Sequence, residues 1–150
     1  RDQIALQHLL TEAGWTLDVS HKGELTPWSR GAFLAPPKHG IWGRHTSFQP
    51  SFLEVLLNEA EQERFLFRRN TRFSLPLKQA FFLTRSGLPI LAPEIVLLYK
   101  AGEAERPENT SDMEALLPAL DSRQHKWLVE ALTALYPQHP WLTTITTVGT

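Results

Sequence analysis

Apolar positions first recur at Leu6, Leu9, Leu10 and Ala13, the i, i+3, i+4, i+7 spacing that places side chains on one helical face. The spacing predicts a helix over residues 2–13, and Gly14 supplies the left-handed residue that commonly closes one. The period then changes. "WTLDVS", residues 15–20, alternates apolar and polar side chains as a half-buried strand does, "HKGE" reads as a turn, and "LTPW" is expected to pair back as a hairpin. Residues 29–40 contain Gly31, Pro36, Pro37 and Gly40, too many breakers for a regular element, and "IWGR" follows as a short strand. "SFLEVLLNEA" and "FLFRRN" are two apolar runs about the polar connection "EQER", a pattern that predicts their antiparallel pairing. A further strand is expected in "AFFLTRS", turned by Ser86 and Gly87 into "LPIL".

From Pro93 the pattern becomes helical. Pro93 suits the first helical position, where its missing N–H is no loss, and Glu94 sets negative charge near the positive end of the dipole. This helix is apolar nearly all round and closes on Lys100, a cation where the dipole favours one. Met113, Leu116, Leu117 and Leu120 form the next stripe, with Asn109 and Asp112 expected to open it as a variant capping box. Asp121 and Gln124 repeat that device ahead of Trp127, Leu128, Ala131, Leu132 and Leu135. Pro137 ends that helix, and the tail "LTTITTVGT" shows no helical period. A helix, a run of strands and then a group of about three helices describe an α+β fold with a mixed or antiparallel sheet, expected as a single domain over residues 1–150.

Composition narrows the classes. The 150 residues are 42% hydrophobic, enough for a core without staples, and no cysteine is present to form a disulfide framework or a thiolate metal site. The 15 basic and 16 acidic residues nearly cancel, which disfavours the strongly positive surface that generic nucleic-acid binding needs. The longest apolar stretch, about Ile90 to Tyr99, is interrupted by Pro93 and Glu94 and falls short of the roughly 20 residues of a membrane span. With no signal-peptide pattern at Arg1, Asp2 and Gln3, a bacterial cytoplasmic protein with neither nucleic-acid nor membrane partners is expected. Met113 is the only methionine, so a segment is expected before Arg1.

Common catalytic signatures are missing. The six histidines show no HxH or HExxH spacing, and neither a GxSxG elbow nor a glycine-rich phosphate loop occurs. Glu59, Glu61 and Glu63 alternate along a turn and are read as solvated. Glu54 lies inside "FLEVLL", where an ionised carboxylate must face solvent or a partner, and outward alternation on an antiparallel sheet accounts for it. Arg68 and Arg69 end an apolar run and read as a surface pair.

Taken together, "RDQIALQ", "GWTLDV", "IWGR", "LEVLLNEA", "FLFRRN", "LAPEIVLLYKA", the later Arg106 and Asp112, "LLPALD", "WLVEAL" and "HPWL" resemble, in order, bacterial aminoglycoside nucleotidyltransferase-like proteins. The resemblance runs from Arg1 to about Leu142, and "LAPEIVLLYKA" with the "FRR" segment is its most specific part. It implies a nucleotidyltransferase-like fold and transfer of a nucleoside monophosphate from a nucleoside triphosphate to a hydroxyl of a small aminoglycoside-like acceptor, with magnesium neutralising the phosphates. The family's metal-binding aspartate pair, DxD, and its glycine-rich turn belong to a segment before the stretch matched by "RDQIALQ". No cofactor is therefore expected for this chain itself, and it is expected to be catalytically incomplete. Among its own residues, Glu54 matches the position of a further family carboxylate. Lys100, Arg106 and Asp112, together with Arg68 and Arg69, match residues that face the triphosphate or order the site. Glu108 and Asn109 depart from the family's usual lysine and aspartate. The alternative implied is a non-catalytic binding module or a homodimeric assembly module derived from that fold, its exposed strand edges pairing between chains.

Overall fold

The computed structural model describes residues 2–148. Arg1, Gly149 and Thr150, at the outer ends of "RDQIALQ" and "LTTITTVGT", lie outside the described residues. The chain divides into two compact units, Arg1–Glu59 and Ala60–Thr150.

The first unit begins with α1 (Gln3–Glu12), and Gly14 follows it at φ 86°, the left-handed conformation expected there. Four strands succeed it: β1 (Thr16–His21), β2 (Glu24–Pro27), β3 (Gly40–Arg44) and β4 (Phe52–Leu56), paired antiparallel throughout in the order β2-β1-β3-β4. The expected hairpin is present, turned by Lys22 and Gly23, both at positive φ, as the twist of a two-residue connection requires. Trp15, Leu17, Val19, Trp28, Leu34 and Ile41 form the buried core, and Leu10 of α1 packs against it. The breaker-rich loop after β2 is held by two glutamines one turn apart on α1. Gln7 Oε1 accepts the Gly31 N–H at 2.7 Å and its amide donates to the Ser29 carbonyl at 3.0 Å. Gln3 exchanges both kinds of bond with the Leu34 backbone. These amides supply partners that a loop without a ladder must find elsewhere.

One expected pairing is corrected. "FLEVL" pairs with β3, not with "FLF", and sets Glu54 opposite Trp42. "FLF" lies in the second unit, where β5 (Ala60–Glu61) and β6 (Arg64–Leu66) close their own hairpin across Gln62 and Glu63, and β6 pairs again with β7 (Ser74–Pro76). Alternation fixes which side chains of β4 turn inward, here Leu53 and Val55, but it does not choose between two apolar neighbours.

The second unit continues with a one-turn helix, α2 (Leu77–Ala80), and the expected hairpin of β8 (Phe81–Leu83) and β9 (Pro89–Leu91). The helices α3 (Pro93–Ala101), α4 (Pro107–Leu116), α5 (Ser122–Leu135) and α6 (Trp141–Val148) follow, with a 3-10 turn at Leu117–Ala119. The fold is thus α+β, with antiparallel sheets and four helices of two turns or more after the strands, one beyond the expected three. α3 is buried on several sides through Ile95, Leu97, Leu98 and Ala101, which explains its nearly unbroken apolar sequence. Leu128, Ala131 and Leu132 of α5 and Trp141 and Ile145 of α6 join the same core.

Two helix boundaries depart from the pattern. α4 opens at Pro107 with Arg106 at its N-cap, so Asn109 and Asp112 lie inside the helix and form no capping box. The threonine-rich tail is helical because Trp141 and Ile145, four residues apart, are both buried. The imidazole of His139 accepts the Trp141 N–H, and Thr146 returns its hydroxyl to the Leu142 carbonyl. At α5 the capping box of Asp121 and Gln124 is present as expected. No helix among the described residues is long and apolar enough to cross a membrane.

Candidate functional site

The last turn of α3 gathers most of the predicted site residues. Its final carbonyls have no partner within the helix and must find donors elsewhere. Arg69 Nη1 donates to the Tyr99 carbonyl at 2.8 Å, and its guanidinium lies 5.6 Å from the centre of the Tyr99 ring. Asn109 Nδ2 donates to the carbonyls of Lys100 at 3.4 Å and Glu103 at 2.8 Å. His139 Nε2 meets the Ala101 carbonyl at 2.9 Å. Three separate segments of the chain thus terminate one helix. The tight fit extends to Gly102, where a Cβ would overlap Arg69 Nη1.

Lys100 projects from this end. Its ammonium lies 2.6 Å from Asp112 Oδ2 and 3.1 Å from Asn109 Oδ1, with the lysine side chain 31% exposed and the aspartate side chain 48% exposed. Two of its three N–H donors are therefore engaged by α4. Arg106, at the start of α4, is exposed and pairs through Nε with Glu103 at 2.7 Å. Arg68 is half-buried beside the same helix, its backbone N–H 3.4 Å from the Tyr99 hydroxyl. Lys100, Arg106, Asp112, Arg68 and Arg69 all belong to the second unit, and each either touches the last turn of α3 or joins it through Glu103.

Glu54 belongs to the first unit, at the centre of β4 on the exposed face that it shares with Phe52 and Leu56. It makes no ion pair among the described residues, so outward alternation accounts for it as expected. Among the described residues no group of three or more histidine, aspartate or glutamate side chains could hold a metal ion. Asp112, the one carboxylate beside Lys100, is occupied by that lysine. The magnesium that the family resemblance implies finds no such group of three among the described residues.

The residues whose role is least visible in the sequence are two buried polar ones. Asn109 is buried and makes three polar contacts. Glu94 is fully buried, with Arg123 Nη2 at 3.1 Å from one oxygen and Gln124 Nε2 at 2.8 Å from the other. Only the first-turn position of Glu94 and the cap spacing of Gln124 signalled them. Comparisons of the chain with protein families, with curated proteins and with solved structures give no match.

Proposed function

We propose that this chain is nucleotidyltransferase-like, with Lys100 and Arg106 as its contacts to the phosphates of a nucleoside triphosphate and Asp112 as the residue that holds Lys100 in place between ligands. The carrying observation is the Lys100–Asp112 pair, a cation and a carboxylate at 2.6 Å that are both open to solvent at the end of a buried helix. Partly exposed pairs of this kind contribute about 1 kcal/mol or less, so a polyphosphate oxygen can take the ammonium from Asp112 at small cost. Arg106 is exposed nearby and offers further guanidinium donors beyond the one used on Glu103.

Among the described residues no group of three or more carboxylates or histidines could hold a metal ion, and phosphoryl-type transfer relies chiefly on positioning and charge neutralisation. The proposal is therefore binding without turnover by these 150 residues. Glu54, Arg68 and Arg69 enter differently: Glu54 as a solvent-facing strand residue, the arginines as supports of α3 through Tyr99.

A second reading is favoured by the occupancy of Lys100. Its bonds to Asp112 and Asn109 by themselves explain a cation at that place, which suits a binding module with no nucleotide. Titration of the labelled chain with ATP, observed by NMR, separates the two. The first expects shifts centred on residues 99–112 that weaken at least fivefold in Lys100→Ala while the chain stays folded. Shifts indifferent to Lys100→Ala favour the second. Adenylyl transfer to an aminoglycoside by this chain alone would overturn the claim of binding without turnover.

A further inference from the structure

We infer that the β8–β9 ribbon is a self-association surface, and that two copies of this chain join by pairing β8 with β8 antiparallel about a two-fold axis at Phe82. Phe81, Phe82 and Leu83 of β8, Ile90 of β9 and Leu88 before it are exposed by between 39% and 69%. Phe82 and Ile90 face one side, while Phe81 and Leu83 face the other together with Leu91, which packs partly against the core, so each face keeps exposed apolar side chains. No residue of either strand is charged, so the lysines and glutamates that usually blunt a free edge are missing.

The register distinguishes the two edges. Ala92 N–H donates to the Ala80 carbonyl and Thr84 N–H to the Leu88 carbonyl, which makes Phe82–Ile90 a hydrogen-bonded pair and Leu83–Pro89 a non-bonded one. At a non-bonded pair the backbone N and carbonyl point away from the partner strand. On β9 one such outward nitrogen is Pro89, which has no hydrogen to offer, so this edge keeps only the Leu91 N–H as a donor and is the poorer template. On β8 it is Leu83, whose N–H and C=O face the outer edge, along with the carbonyl of Phe81. No strand pairs with that edge among the described residues. The edge is two-fold complementary to itself: centred on Phe82, the Leu83 N–H of each copy reaches the Phe81 carbonyl of the other. The resulting four-stranded sheet carries Pro89 on each outer edge, which disfavours the addition of a third copy.

Area sets the strength. The five side chains expose on the order of 400 Å² of apolar surface, of which pairing at the β8 edge covers only a part, well below the roughly 800 Å² per partner in a stable interface. The dimer is accordingly weak and reversible.

Sedimentation velocity of the whole chain over a concentration series tests this. Wild type should pass from monomer to dimer. Phe82→Lys and Leu83→Lys, both at exposed positions, should remain monomeric to about tenfold higher concentration with unchanged circular dichroism. Because the chain has no cysteine, Phe82→Cys adds a single thiol on the two-fold axis and should oxidise to a covalent dimer far faster than Ser86→Cys in the turn. Wild type monomeric throughout, dimers that persist in both lysine variants, open-ended oligomers, or equal crosslinking at residues 82 and 86 would each overturn the proposal.

Discussion

The imidazole of His139 donates through Nε2 to the Ala101 carbonyl at 2.9 Å while its Nδ1 accepts the Trp141 N–H at 3.1 Å. Since a carbonyl only accepts, the proton sits on Nε2, and one neutral ring both terminates α3 and starts α6. His139→Ala should strand a buried carbonyl and leave a cavity beside Trp141, at a cost of about 3 kcal/mol. Urea denaturation checks this, and a loss below about 1 kcal/mol would count against the linkage.

Asn109→Asp places a second carboxylate next to Lys100 but removes the amide donor to the Lys100 and Glu103 carbonyls. A buried acceptor facing two carbonyls outweighs the gain with the lysine, so the variant should be less stable by about 2 kcal/mol. Equal or greater stability in chemical denaturation would mean that the ion pair dominates this site.

Breaking the buried carboxylate contact at Glu94 should be more severe than neutralising it. Glu94→Ala leaves Gln124 without its acceptor and opens space between α3 and α5, costing about 3 kcal/mol, whereas Glu94→Gln keeps the shape and costs about 1 kcal/mol. Calorimetric unfolding of the pair of variants gives the order; a reversed ranking would reject it.

Gln62 and Glu63 turn the β5–β6 hairpin at φ 48° and 60°, a conformation costly for residues with a side chain. Glu63→Gly should therefore stabilise the chain by roughly 0.5–1 kcal/mol, and Gly23→Ala, at φ 82° with no neighbour to clash, should destabilise it by a similar amount. Thermal melts of the two variants should move in opposite directions.

Elements with a full stripe or a distinctive turn were legible from residues alone. α1, the Lys22–Gly23 hairpin, the β8–β9 hairpin and the capped α5 all fall where the pattern puts them. Two misreadings share a cause, which is that local pattern is silent about tertiary partners. Leu53 and Val55 face inward in either hairpin, so alternation could not distinguish β3 from β6 as the neighbour of β4. α6 shows Trp141 and Ile145 as buried positions among threonines, with Leu142 partly buried against the same core, and its first N–H is held by a histidine outside the helix. At the candidate site the charged residues stood out, because a lone cation after an apolar run is conspicuous. Asn109 reads as a cap and not as a buried bridge, since a neutral amide looks the same in a cap, on a surface or buried against carbonyls.

Gln124 joins two beginnings. Its Oε1 accepts the Asp121 N–H at the cap of α5, and its Nε2 donates to Glu94 in the first turn of α3. A single side chain therefore reports the state of one helix to the other. If the opening turn of α5 frays, the sequestered carboxylate of Glu94 loses a donor at the same instant, and if α3 shifts, the cap is pulled with it. Loosening at one end therefore weakens the other, with Arg123 as the second hold on Glu94.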